Sequence, residues 1–171
     1  MRLVSFDNEV FEITENERFS DNGELIYEFG DEFLVVCPKC SLMAKVLSGE
    51  SDSDKPINKL FAPRKLICLN CVYREDWKVG QISIGGNVDW YFRLPLWLQI
   101  SCSSETLWAY NEKHLEFIED YVAAKLRARI PNVNKSLVSR LPNWIKLAKN
   151  RDEILKSIRK LKEKLNEKSR T

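Results

Sequence analysis

Hydrophobic and polar positions change rhythm along the chain. Up to about residue 75 the apolar runs are short and punctuated: Val10-Phe11-Glu12-Ile13, Leu25-Ile26-Tyr27-Glu28-Phe29, Phe33-Leu34-Val35-Val36, Met43-Ala44-Lys45-Val46-Leu47 and Lys65-Leu66-Ile67. Runs of this length between turn-forming residues predict strands. Asn22-Gly23 predicts a hairpin between the first two, and Gly30-Asp31 a further turn. Val72-Tyr73-Arg74 extends the last run. Residues 48–56 are polar and turn-rich, predicting a loop, and their acids lack the glycine and distal glutamate of a calcium loop.

Residues 82–100 hold the densest aromatic cluster, Trp90-Tyr91-Phe92 and Trp97 among them. Aromatics at this density can stack bases or a planar ligand, but they also carry most of the apolar area a small domain buries, which predicts core. Gly85-Gly86 is too short for a phosphate-cradling fingerprint. From Asn111 the period becomes helical. Leu115, Ile118, Val122, Leu126 and Ile130 recur at three and four, predicting a helix over 111–129 that Pro131 ends. His114 lies in its first turn, where a surface or interface position is expected. A short helix follows around residues 142–148. Asp152-Glu153 then opens a last one, with Ile154, Leu155, Ile158, Leu161 and Leu165 on one stripe. That stripe spans about three turns, enough to pack on the body or on a partner helix but too short for a self-standing coiled coil. It also lacks the aromatic anchors of a helix that lies on lipid.

Composition adds polarity to this picture. The chain has 171 residues, 44% hydrophobic, which suffices for a buried core. The net charge of +2 hides a steep gradient: residues 1–36 carry ten acids and two bases, residues 131–171 twelve bases and four acids. A basic tail commonly meets nucleic acid, but the two ends can equally attract each other or be solvated faces. No apolar run approaches a membrane span, and the first residues lack the apolar stretch of an export signal. With an odd number of cysteines, five, this predicts a reducing, cytoplasmic setting.

Four of those cysteines form two tight pairs, Cys37-Pro38-Lys39-Cys40 and Cys68-Leu69-Asn70-Cys71, 27 residues apart. Each C-x-x-C turn sets two thiolates on one side of a bent backbone, and two such turns close a tetrahedral shell around one ion. A closed shell is structural rather than catalytic. An all-thiolate set favours zinc, with iron the nearest other metal. Redox chemistry needs a single C-x-x-C between strand and helix, whereas both pairs here adjoin strand-like runs. Disulfides belong to secreted chains. The fifth, Cys102, reads as a small buried hydrophobe, although its place between Ser101 and Ser103 leaves a reactive thiol open.

Around the two pairs, residues 33–75 resemble the transcription factor IIB-type zinc ribbon in the broad rubredoxin-like sense, which implies a three-stranded antiparallel sheet holding one Zn²⁺. Ser41-Leu42 stands where that family commonly has Gly-Gly, and the segment between the pairs is long. The stretches 94–99, 105–115 and 139–146 are similar to uncharacterised bacterial proteins that carry such a ribbon at the front. That similarity implies no activity.

The fold class expected is therefore α+β: an acidic β segment with the zinc ribbon over residues 1–80, then an aromatic-rich segment and helices with a basic end over 81–171. The function expected is non-enzymatic binding of a macromolecule, protein or nucleic acid, through ribbon and basic helices. An adaptor or immunity-type protein, binding through strand addition at the acidic sheet, is the alternative. An enzyme would need a nucleophile elbow or a His/carboxylate cluster, and the chain offers only the sequence neighbours Cys102 and His114 with no third group.

Overall fold

The computed structural model describes residues 18–49, 59–77, 80–128 and 136–168. The strand expected at 10–13 and most of the 48–56 loop fall outside them. In chain order the strands are β1 (Arg18–Ser20), β2 (Glu32–Val36), β3 (Met43–Ser48), β4 (Arg64–Ile67), β5 (Arg74–Asp76), β6 (Leu98–Cys102), β7 (Glu105–Ala109) and β8 (Leu126–Ala128). The α-helices are α1 (Glu112–Ala123), α2 (Leu137–Arg140), α3 (Asn143–Lys146) and α4 (Arg151–Lys168). The class is α+β, as the pattern predicts.

Alternation builds the main sheet, an antiparallel β2-β3-β4-β5. Phe33 faces Val46 and Val46 faces Leu66, so three wholly buried side chains line up across three strands. The fourth strand, β5, adds a short charged edge beyond the three expected. The opposite edge is closed: Leu34 N–H bonds Tyr110 O at 2.8 Å, Trp97 N–H bonds Leu34 O at 2.8 Å and Val36 N–H bonds Pro95 O at 2.9 Å. Strand addition at β2 is thereby blocked. Both faces of β2 are consequently buried, and Phe33, Trp90 and Tyr110 pack edge to face with centroids 5.0–5.2 Å apart. The aromatic cluster is core.

Two expectations give way to local hydrogen bonding. Residues after Asn22-Gly23 form no strand; Ile26–Phe29 is a turn of 3-10 helix. Asp21 Oδ1 accepts Gly23 N–H at 3.0 Å and Glu28 Oε1 accepts Leu25 N–H at 2.9 Å, so side chains satisfy the backbone that a hairpin would have paired. The long helix stops at Ala123 rather than 129, with Ala124 extended and β8 running parallel to β1. Arg127 turns back onto the helix end, donating Nε to Tyr121 O at 3.0 Å and Nη1 to Lys146 O at 2.8 Å, while its guanidinium lies 4.4 Å from the Tyr121 ring. Ile130 and Pro131 lie outside the described residues.

Asn111 caps α1, accepting His114 N–H at 2.9 Å, and its Nδ2 donates to Phe29 O and Glu32 O at 2.8 Å, fixing the helix start to the sheet. The α4 stripe packs on the body: Ile154, Ile158 and Leu161 are buried against α1 and β6. Lys162 pairs with Glu119 of α1. Between described residues, no ion pair joins the acidic segment 18–36 to the basic segment 136–168. Among the described residues, no helix is long and apolar enough to cross a membrane.

Candidate metal centre

Both cysteine pairs occupy the turns that leave the main sheet, the first between β2 and β3, the second between β4 and β5. The two turns repeat one backbone design. Cys37 N–H bonds Leu42 O at 2.7 Å and Cys68 N–H bonds Tyr73 O at 2.8 Å, each five residues on. Lys39 N–H bonds the Cys37 sulfur at 3.4 Å, and the N–H groups of Leu42, Asn70 and Tyr73, each two residues on, favour the thiolates of Cys40, Cys68 and Cys71. Four such donors compensate thiolate charge before any ion arrives.

The β2–β3 and β3–β4 pairing brings the turns together. Cys37 and Cys71 Sγ are 3.7 Å apart, Cys40 and Cys68 Sγ 3.6 Å, and all four sulfurs lie within 4.8 Å of one another. A tetrahedron with metal–sulfur bonds of about 2.3 Å has edges of about 3.8 Å, so the four thiols can hold one metal ion with no position left over. Cys37 and Cys68 are buried, Cys40 is half-buried and Cys71 exposed. Among the described residues, no other cluster of three or more His, Cys, Asp or Glu side chains is placed to hold an ion.

Burial pushes Cys68 up, but the N–H groups of Cys71 and Asn70 and the neighbouring thiols outweigh it and bring Cys68 down to about 6. The Tyr73 N–H lowers Cys71, but desolvation and its hydrogen bonds to the Cys40, Cys37 and Cys68 sulfurs outweigh it and push Cys71 up to about 12. An ion must displace the protons these sulfurs hold, so affinity rises with pH. Below about 6 one further proton, that of Cys68, competes. A competition titration against a chelator of known acidity is expected to give a plot of log affinity against pH that steepens by about one proton below that value. An unchanged slope would contradict the lowering of the Cys68 thiol by its N–H donors.

The residue after each second cysteine went unnoticed in the sequence. Ser41 has φ 59° and Val72 φ 60°, both left-handed. This is why a glycine suits the position, and a β-branched valine there is strained. Only the departure at Ser41-Leu42 from the Gly-Gly of zinc ribbons hinted at it.

The remaining candidates stand apart from the sulfurs. Cys102 is buried at the end of β6, opposite Glu105. His114 is not on the surface but 2% exposed, its ring 5.0 Å from that of Tyr110, 5.2 Å from Phe29 and 5.9 Å from Trp108. Asn111 turns the first helical residues inward, which a helical period alone does not reveal. No hydrogen bond joins Cys102 to His114 among the described residues. Comparison with family models, with curated proteins and with solved structures finds no match to this chain.

Proposed function

We propose that the four cysteines hold one structural zinc and that the chain is a non-enzymatic, cytoplasmic zinc-ribbon protein, of the transcription factor IIB type, that binds a macromolecule at the ribbon tip. The donor chemistry supports zinc: four thiolates, tetrahedral spacing and backbone N–H groups on every sulfur.

The observation that carries the binding role is the apolar tip itself. Leu42 is 41% exposed, Leu69 83% and Val72 72%, all within the two metal-binding turns. Val72 is held in a left-handed conformation that glycine would adopt freely and presents an isopropyl group to water. Neither backbone nor solvation favours valine there, so its use lies in contact with something else. An apolar tip fits a protein partner.

Val72→Gly removes the strain and the contact together. Chelator-resistant stability should rise by about 1 kcal/mol, because an L-residue in this region costs about 1–2 kcal/mol and the side chain buries little. Capture of the partner from the native host, read by mass spectrometry, should fall. A variant that is more stable yet captures an unchanged set of proteins would overturn the tip as the binding surface.

A basic ridge favours nucleic acid as a second reading. Lys156, Arg159 and Lys160 stand exposed on one face of α4. If that ridge binds nucleic acid, affinity must fall steeply with salt as counterions are released, and charge reversal at the three positions must abolish binding. Salt-insensitive or absent binding leaves the protein partner.

A further inference from the structure

The β2 edge of the main sheet is closed by the chain itself, but the β5 edge is not. β5 ends the order β2-β3-β4-β5, and no described strand or bridge lies on its far side. All three of its residues, Arg74, Glu75 and Asp76, are exposed. The pairing with β4 decides which backbone groups are spare. Tyr73 O accepts Cys68 N–H at 2.8 Å and Trp77 N–H donates to Arg64 O at 2.9 Å, with Glu75 opposite Leu66 between them. Positions 73, 75 and 77 therefore turn their N–H and C=O groups toward β4. By the alternation of an antiparallel ladder, those of Arg74 and Asp76 turn outward, and among the described residues no hydrogen bond reaches them.

Charge narrows what can fill that edge. An edge strand of a single charge sign keeps other strands away. The two outward-bonding residues of β5 carry opposite signs instead, so the strand can complement a second copy of itself. Two copies related by a two-fold axis meet antiparallel. The ladder closes only where outward groups face outward groups, which leaves three registers: Arg74 opposite Arg74, Asp76 opposite Asp76, or Arg74 opposite Asp76. The first two set like charges face to face. The third pairs opposite charges at both positions, and each pair exchanges both backbone bonds. It also sets Tyr73 of one copy opposite Trp77 of the other, both half-buried and on the face that carries Glu75. On the other face the signs alternate, since Lys65 stands opposite Asp76 within one copy and Arg74 of the second copy lies beyond. The unfavourable contact is at the axis, where the two Glu75 side chains meet.

We propose that this protein associates with a second copy of itself through β5, in the register that sets Arg74 opposite Asp76, joining two four-stranded sheets into one of eight. The surface is separate from the apolar tip. Because the strands run antiparallel, the two metal-binding turns lie at opposite ends of the joint, and the dimer presents two tips. Strands this short bury less than a standard interface, so the dimer is weak, with a Kd of about 10–100 μM.

Sedimentation velocity on the full-length, metal-loaded protein, at concentrations on both sides of that value, tests the proposal. Wild type should pass from monomer to dimer. Arg74→Asp, with acids at 74 and 76, and Asp76→Arg, with bases at both, should each remain monomeric. Both positions are exposed, so metal content and circular dichroism should match wild type. Mixed in equal amounts, the two variants should dimerise again, because each supplies the charge that the other lacks. Glu75→Gln, which removes the like charges at the axis, should tighten the wild-type dimer about threefold. A wild-type chain that stays monomeric, a dimer that persists in either single variant, or a mixture of folded variants that fails to associate would each overturn the proposal.

Discussion

Chelating the proposed zinc, or replacing Cys37 by serine, is expected to unfold the β2–β5 sheet and loosen the core behind it. The magnitude follows from scale. Structural zinc contributes about 10–16 kcal/mol to the folding of small metal domains, and entire domains of ordinary size are stable by only about 5–15 kcal/mol. The sheet has little to replace it: β5 is three exposed residues and β4 is only four residues long. Nor can the loss stay local. Val35 bridges Leu96, Leu34 bonds Tyr110 and Trp97, and Phe33 packs on Trp90, so β2 carries the effect of the metal into the aromatic core. Cys37 is buried and Cys71 exposed, so Cys37→Ser should be the more damaging of the two changes. Hydrogen exchange checks this directly. The amides of Leu34 and Val36 should lose protection after chelation together with that of Trp97, and persistence of all three would contradict the account.

Trp90→Ala is the second large effect, at about 4 kcal/mol of lost stability in denaturant unfolding. Trp90 is wholly buried between Phe33 and Tyr110. Its ring also explains Gly30. A Cβ at that position would sit 2.6 Å from Trp90 Cζ3 and 3.0 Å from Cη2, with the indole unable to retreat. Gly30→Ala should therefore be destabilising by about 1–3 kcal/mol. Phenylalanine at position 90 lacks the fused ring that carries those two atoms, so Gly30→Ala should be better tolerated in Trp90→Phe than in wild type. A double-mutant cycle with no such coupling would show that the contact is not what requires glycine.

How much of this was legible depends on whether its causes are local. Each C-x-x-C turn is encoded within a few residues, and the apolar runs that became β2, β3 and β4 are short and set off by polar, turn-forming residues. The α4 stripe likewise announced both its helix and its buried face. Elements that depend on distant partners were misread. The 3-10 turn at 26–29 is set by Asp21 and Glu28, with Asp21 itself bonded to Ser136 at 2.7 Å across the fold. The early end of α1 follows from Arg127 reaching Lys146 O, which no helical period contains. Burial of His114 comes from rings on three other positions, Phe29, Trp108 and Tyr110. At the candidate metal centre, the clustering of the four cysteines could be read from spacing, whereas the left-handed residues behind them, and the strain at Val72, required the backbone.

The central claim is a zinc ion held by sulfur alone. X-ray absorption at the zinc edge on freshly purified full-length protein, with metal content measured on the same sample, tests it most directly. The expected result is one zinc per chain with four sulfur neighbours at about 2.3 Å and no nitrogen or oxygen in the shell. A folded protein without zinc, or a zinc shell containing nitrogen or oxygen donors, would contradict it.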